Sequence, residues 1–195
     1  MNELVFQNSL KITWKQLRNR DYLSFKIDML DLETVKQDIL TWSETFVEVP
    51  HPALGNWAPC PFARRARLAG TVDIVLGRYP YTDLMARCRD GMGKFEVIIY
   101  VYDPKLYPYN YFHQALEDAN QAALLKNDLL VLEDHPDEVE LVNGVCMNQG
   151  KYALALVQSL SKLNDSAAQM AAKGFYHTWP EEYLKPLFNH RKDPR

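Results

Sequence analysis

Apolar residues recur at intervals of three and four in an early part of the chain. The series comprises Leu32, Val35, Ile39, Trp42 and Phe46. This spacing places the five side chains on one face of a helix, and Asp31 is a suitable cap for its first turn. The pattern runs out at Val49-Pro50, where turn-forming residues follow. The sequence therefore predicts an amphipathic helix that packs one face against a core.

Four later stretches have the composition of strands. Residues 71–76 are short and β-branched, whereas residues 95–102 are almost continuously apolar, as is typical of a central strand covered on both faces. Residues 128–132 predict a third strand. Residues 139–142 predict an edge strand before the turn at Asn143-Gly144.

Helical patterns separate and follow these strands. Thr82 can cap a helix that runs through Cys88, and Asn110 can cap one that runs to about Lys126. Farther along, amphipathic spacing predicts mostly helix, over residues 152–163, residues 165–173 with Asp165 as cap, and a short segment that begins at Thr178.

Alternation of strands and helices predicts an α/β or α+β fold with a small mixed sheet of about three to five strands flanked by helices. A length of 195 residues with 47% hydrophobic residues fits a single globular domain, 1–195. Residues 1–30 are expected to form an N-terminal arm on the outside of this domain. Residues 189–195 are expected to form a flexible tail.

Composition narrows the classes of partner. The net charge is -3 with no block of like charge, so no nucleic-acid partner is expected. No apolar run reaches membrane-spanning length, and residues 1–10 lack a signal pattern. Three cysteines at no metal-like spacing argue against a disulfide framework. These features predict a cytoplasmic protein with no membrane partner, and they indicate no particular cofactor or oligomeric state.

Candidate chemistry concentrates at Cys60. Pro61 suits the first position of a helix, which makes Cys60 the expected N-cap. The unpaired N–H groups and the positive end of the helix dipole would lower the pKa of the thiol there. Nearby arginines would act in the same direction. The alternative is that Cys60 is a small hydrophobic residue in a packed corner.

The leading hypothesis is a small enzyme that acts on an anionic small molecule. Cys60 would be the nucleophile or redox thiol, and His135, at a predicted strand end among acidic residues, would be the general base. Arg64, Arg67 and Trp57 would bind the substrate. This hypothesis predicts that Cys60→Ser abolishes activity without unfolding the protein.

Two alternatives remain open. The first is a non-catalytic binding or assembly protein in which the Cys60 segment is a structural corner. The second is a metal-dependent enzyme. His113 and Glu117 lie four residues apart on one predicted helix face, and with His135 they would form a two-histidine, one-carboxylate site.

The order of elements around one short motif is distinctive. The motif Cys60-Pro61-Phe62-Ala63 lies between the predicted first helix and the strand over residues 71–76. Farther along, a second strand is followed by Pro104 and then by Tyr111-Phe112, and a third strand leads to His135-Pro136. Over roughly residues 40–175 the chain resembles a bacterial family of unknown function, numbered 1415 among such families. The resemblance implies that Cys60 and His135 belong together. The chain is also similar to thioredoxin-like proteins in its Cys-Pro-aromatic sequence, but Ala63 stands where a second cysteine would be needed for a dithiol cycle.

Overall fold

The centre of the fold is a mixed sheet of four strands. The computed structural model describes residues 30–195. The sheet strands are β1 (Val72–Leu76), β2 (Val97–Tyr102), β3 (Leu129–Asp134) and β6 (Ala153–Ser159); a separate hairpin is formed by β4 (Leu141–Val142) and β5 (Val145–Cys146). The order across the sheet is β1-β2-β6-β3. Strands β1 and β2 are parallel, and β6 is antiparallel to both of its neighbours. The predicted α+β architecture is confirmed.

Strand β2 is central, as its apolar sequence predicts. Ile98 to Tyr102 are all buried. Alternate side chains point to opposite faces of a strand, so one set packs beneath helices on each side. This arrangement explains why the strand has no polar face.

The second central strand, β6, falls within residues 152–163, for which the sequence predicts a helix; that prediction is wrong over the strand, and residues 160–163 are helical. The run Ala153-Leu154-Ala155-Leu156-Val157 is apolar at every position. Because no polar residue interrupts this run, its periodicity cannot distinguish a buried strand from a buried helix. It forms a strand because β2 and β3 flank it on both edges. The following helix is α5 (Leu160–Ala171), capped by Ser159, so the prediction that Asp165 caps a helix is also wrong.

Three helices differ little from their predicted positions. Helix α1 (Leu32–Trp42) is capped by Asp31, which accepts a hydrogen bond from the Thr34 N–H at 2.9 Å, and it continues as a π-helical turn over Ser43–Val47. Helix α3 (Pro80–Asp90) begins at Pro80 rather than Thr82, because proline is suited to a first helical position. Helix α4 (Tyr109–Ala119) also continues as a π-helical turn, over Asn120–Leu124.

Helices cover both faces of the sheet. On one face, Leu84 of α3 and Phe112 of α4 pack against β2, β6 and β3. On the other face, Val35 and Ile39 of α1 pack against Ile74, Ile99, Val101 and Leu154. A third cluster joins α5 and the C-terminal helix α6 (Glu181–Leu187) to Leu54 and Val142. Each face of the sheet therefore has its own apolar core.

The β4–β5 hairpin contains the predicted Asn143-Gly144 turn. Both residues have a positive φ, 51° and 80°, as a type I′ turn requires. The hairpin pairs only with itself, so the predicted edge strand over residues 139–142 is shorter than expected and does not extend the main sheet.

The predicted N-terminal arm and C-terminal tail can be compared with the structure only in part. The predicted N-terminal arm falls outside the described residues, apart from Leu30. At the other end, the predicted flexible tail contacts the body: the Lys192 N–H donates to Asn164 Oδ1 at 3.0 Å, and His190 Nε2 lies 2.8 Å from Glu117 Oε2. Within residues 30–195, no helix combines the length and the apolarity needed to cross a bilayer.

Candidate functional site

Cys60 lies just before helix α2 (Ala63–Leu68). The helix begins two residues later than predicted, with Phe62 as its N-cap, so Cys60 is not the N-cap and Pro61 is not the first helical residue. The Cys60 N–H donates to the Val47 carbonyl oxygen at 3.1 Å, and the Cys60 carbonyl accepts from the Ala63 N–H at 3.2 Å. The residue thus ties the end of the α1 segment to the start of α2.

The ionisation of the Cys60 thiol is opposite to the prediction. Burial of the sulfur among protein atoms raises its pKa, although the backbone N–H groups of Phe62 and Ala63 act to lower it. Glu48 raises this pKa further, and Arg191 lowers it. The residue as a whole is nevertheless exposed. The raised pKa favours the thiol over the thiolate at neutral pH.

Arg67 is fully engaged within the protein. Its Nε and Nη2 donate to the two Glu48 carboxylate oxygens at 2.7 and 2.9 Å, and its Nη1 lies 2.6 Å from Glu44 Oε1. These bonds hold the pKa of Glu48 below its usual range, with Ser43 adding a further bond to the same carboxylate. Because two carboxylates already neutralise Arg67, it is poorly placed to hold the anionic substrate predicted from the sequence.

The other two predicted substrate residues are elsewhere. Arg64 is exposed on α2. Trp57 packs edge-on against Phe175, with 5.9 Å between ring centroids, as part of the C-terminal cluster. Neither residue lines the pocket that contains Cys60.

That pocket, called here the Cys60 pocket, has a volume of about 440 Å³. It lies between α1, α2, α5 and the sheet. Its apolar lining comprises Ile39, Leu40, Trp42, Val47, Phe62, Ala63, Ala66, Val72, Ile74, Val97, Ile99, Leu156 and Leu163. Its polar lining comprises Ser43, Cys60, Arg65, Arg67, Glu96, Gln158, Ser159, Lys162, Asp165, Ser166 and Gln169. Val97 of β2 and Leu156 of β6 are diagonal neighbours on the central strands, since Val97 pairs with Gln158 and Leu156 with Ile99, and both stay partly exposed there.

His135 is not part of this pocket. Its side chain is fully buried, and its ring packs against Tyr109 and Phe112. The Asp137 N–H donates to Nδ1 at 3.1 Å, so Nε2 carries the proton that it donates to the Tyr107 carbonyl at 2.9 Å. Both ring nitrogens are thus used in fixing the loop after β3. The structure does not bring His135 and Cys60 to a common site.

The alternative metal site is not assembled either. Residues 30–195 contain no group of three histidine, cysteine, aspartate or glutamate side chains arranged to hold a metal ion. His113 Nδ1 instead lies 2.8 Å from Glu133 Oε1, and Glu117 bonds to His190. Of the three residues predicted to bind the metal, His113 and Glu117 line one cavity and His135 does not.

This second cavity, called here the glutamate pocket, has a volume of about 840 Å³ and lies between α4, β3 and α6. Its titratable residues are Tyr109, His113, Glu117, Glu133, Glu138, Glu140, Glu182, Tyr183, Lys185 and His190. Burial and the surrounding carboxylates raise the pKa of Tyr109 to about 12. Burial likewise raises the pKa of Glu140, although its carboxylate accepts a hydrogen bond from the Tyr183 hydroxyl at 2.9 Å.

Sequence reasoning missed most of this second cavity. Glu140, Tyr183 and His190 come from a loop, a short helix and the tail, and no spacing in the sequence connects them. The π-helical turn after α4 was missed as well. It places Asn120 where its side chain bonds both the N–H and the carbonyl of Val131 on the edge strand β3, at 3.0 and 3.1 Å.

The chain matches no protein-family model, and comparisons with curated proteins and with solved structures also found no similar protein. The resemblance to family 1415 stays a prediction.

Proposed function

We propose that this protein binds a small, largely apolar molecule in the Cys60 pocket. On this view the Cys60 segment is a structural corner and not a catalytic centre. The observation that carries the proposal is the pocket floor, where Val97 of β2 and Leu156 of β6 present apolar surface on the two central strands. Burying such surface under a ligand is favourable by about 25 cal/mol per Å².

The shape and lining of the pocket support the same proposal. Its volume falls within the range of roughly 300–1,000 Å³ that is common for small-molecule sites. A mostly apolar lining with a few polar side chains, such as Gln158, which pairs with Val97, and Gln169 of α5, is also typical of such sites. The three cysteines are unpaired, which is in keeping with the cytoplasmic location that we also propose.

Catalysis by Cys60 is the second candidate function. It is favoured by one observation, that Cys60 is exposed and lines the pocket. Against it stand the raised pKa of the thiol and the absence of His135 from the residues that line this pocket. The binding proposal needs neither a thiolate nor a base.

Titration with N-phenyl-1-naphthylamine, an uncharged apolar fluorophore, tests the binding proposal. We expect saturable fluorescence enhancement with a Kd on the order of 10 μM. Ala63→Phe, which fills the pocket from the first residue of α2, should weaken binding at least about tenfold. Ala69→Phe makes the same change at an exposed position after this helix, outside the pocket, and should leave binding unchanged. No saturable binding to the wild type, or equal binding to both variants, would refute the proposal.

A further inference from the structure

Gln158 places an amide among the apolar side chains that the sheet contributes to the Cys60 pocket. It lies on the central strand β6 and lines the pocket together with Leu156, which is two residues earlier and therefore on the same face of the strand. The residues paired with Gln158 on the adjacent strands are Val97 of β2 and Leu130 of β3. Its nearest neighbours on this face of the sheet are thus all apolar.

The Gln158 amide makes no hydrogen bond with any group of residues 30–195. By contrast, the hydroxyl of Ser159, the other polar strand residue in the lining, donates to Asp128 at 2.8 Å and accepts from the Lys162 N–H at 3.3 Å. Gln158 is only partly buried, so water reaches its amide in the pocket. A ligand that covers this part of the sheet displaces that water, and an amide left without a partner weakens binding. The ligand therefore has to supply hydrogen bonds to Gln158.

The charged side chains of the pocket have opposite charges close to them. The pairs are Arg67 and Glu48, with Nε and Oε1 2.7 Å apart, Arg65 and Glu96, with Nη2 and Oε2 3.4 Å apart, and Lys162 and Asp165, three residues apart on α5. An ionic group on a ligand would lose its hydration here without gaining an unmatched counter-ion. The lining therefore favours an uncharged ligand.

We infer that Gln158 selects an uncharged ligand that carries a primary carboxamide or lactam beside an apolar body. This inference rests on the proposed binding function and names the polar part of the ligand. Such a group presents an N–H donor next to a carbonyl acceptor, as the Gln158 side chain also does, so the two amides can form a pair of hydrogen bonds. The apolar body then lies over Val97 and Leu156. This ligand has no charge, in contrast to the anionic substrate predicted from the sequence.

Two naphthalenes of nearly the same shape test the role of the Gln158 amide. 2-Naphthamide has an NH₂ group where 2-acetonaphthone has a methyl group, so only the naphthamide can donate a hydrogen bond to Gln158. The Kd of each compound is measured by displacement of N-phenyl-1-naphthylamine, whose own Kd is determined for every variant. The quantity compared between proteins is the Kd of the ketone divided by the Kd of the amide, because the difference in apolarity between the two compounds then cancels.

Gln158→Met removes the amide and keeps the length of the side chain. We expect this variant to lower the ketone-to-amide ratio about fivefold or more relative to the wild type, because a hydrogen bond to the ligand is lost. Gln169→Met is the matched control, since Gln169 lines the same pocket from an exposed position on α5, and it should keep the wild-type ratio. If Gln158→Met does not fold, Gln158→Val, a substitution that suits a strand, carries the same expectation.

The outcomes separate this inference from the proposed function. A ratio that is unchanged in Gln158→Met, or that falls equally in Gln169→Met, overturns the role of Gln158 alone. Tighter binding of 2-naphthoate, which is ionised at neutral pH, than of 2-naphthamide to the wild type overturns the uncharged ligand and favours the anion predicted from the sequence. Failure of N-phenyl-1-naphthylamine to bind saturably overturns the proposed function.

Discussion

The Cys60 pocket and the glutamate pocket differ in how the polar groups that line them are hydrogen-bonded. In the larger glutamate pocket, histidines and tyrosines bond to carboxylates across elements: His113 to Glu133, His190 to Glu117, and Tyr183 to Glu140. In the smaller Cys60 pocket, the sheet contributes mostly apolar side chains, and the Gln158 amide has no hydrogen-bond partner within residues 30–195. By volume alone the glutamate pocket would be the better ligand site, but most of its polar side chains already bond to one another.

This difference suggests different roles for the two cavities. The bonds in the glutamate pocket join α4 to β3 and to the tail, and α6 to the loop after β3, so they hold the C-terminal segment in place. One carboxylate oxygen there, Glu133 Oε2, is buried without a hydrogen bond in the described part of the chain. A ligand in this pocket would still compete with three existing bonds, whereas a ligand in the Cys60 pocket would cover exposed apolar surface.

The largest expected effect is at the wall of the Cys60 pocket. Arg67→Met should destabilise the protein by about 2–3 kcal/mol, because it leaves the Glu48 carboxylate, whose side chain is 5% exposed, without its counter-ion. Arg65→Met is the matched control on the same helix. Arg65 is 68% exposed and lies 3.4 Å from Glu96, so its loss should cost no more than about 0.5 kcal/mol. Urea denaturation at pH 7 measures both, and equal losses would contradict this account.

The same pair should make stability depend on pH. Because Arg67 lowers the pKa of Glu48 in the folded state, its stabilisation is present above the unfolded pKa and is lost as pH falls through the lower folded value. Stability of the wild type should therefore drop in acid more steeply than that of the double variant Glu48→Gln/Arg67→Met. If the double variant is more stable than Arg67→Met alone, the destabilisation caused by Arg67→Met comes from the unpaired Glu48 carboxylate.

Replacing either of two glutamates in the glutamate pocket should change stability by less than Arg67→Met does, and the two replacements should act in opposite directions. Burial acts to raise the pKa of Glu117, but its bonds to His190 and Gln121 outweigh burial and lower it, so Glu117→Gln should destabilise the protein at pH 7 by about 0.5–1 kcal/mol. Burial raises the pKa of Glu140, and its charged form destabilises the fold above the unfolded pKa. Glu140→Gln should therefore stabilise the protein at pH 7, with Tyr183 still able to donate to the amide oxygen.

Lowering the pH should reduce the stability difference between the wild type and each variant, since each carboxylate becomes protonated as pH falls. Thermal melts of the two variants and the wild type between pH 4 and 8 measure the effect. Destabilisation by Glu140→Gln at neutral pH would show that the Tyr183 bond outweighs burial, and that this pocket depends on the charge of Glu140.

Most of the fold could be predicted from periodicity and end signals, as particular elements illustrate. The α1 stripe has the helical period and a capping aspartate, and β2 has the apolar run of a central strand. The error at β6 arose because its residues 153–157 are apolar at every position, and only the neighbouring strands decide its conformation. The start of α2 was misplaced because Pro61 fits a turn as well as a first helical position.

The candidate site was predictable only in part. The Cys60 segment does border a pocket, and its motif drew attention to that part of the chain. The ionisation of the thiol could not be predicted, because it depends on burial and on Glu48 and Arg191, which come from distant parts of the sequence. Arg191 itself lies in a basic tail that gives no sign of burial, and the burial of His135 depends on how the loop after β3 folds against α4.

The smallest expected effect is at Cys60 itself. Cys60→Ser should change stability by no more than about 0.5 kcal/mol and leave binding of the neutral fluorophore within about twofold, because the residue is exposed and a serine hydroxyl can accept the same backbone N–H bonds. With Cys88 and Cys146 changed to serine, alkylation of Cys60 should proceed in the folded protein with an apparent pKa at or above the ordinary thiol value of about 8.5. An apparent pKa well below that value would instead mean that the N–H groups of α2 and the charge of Arg191 together overcome burial and Glu48. The Cys60 pocket would then hold an activated thiolate, and the catalytic hypothesis would replace the binding proposal.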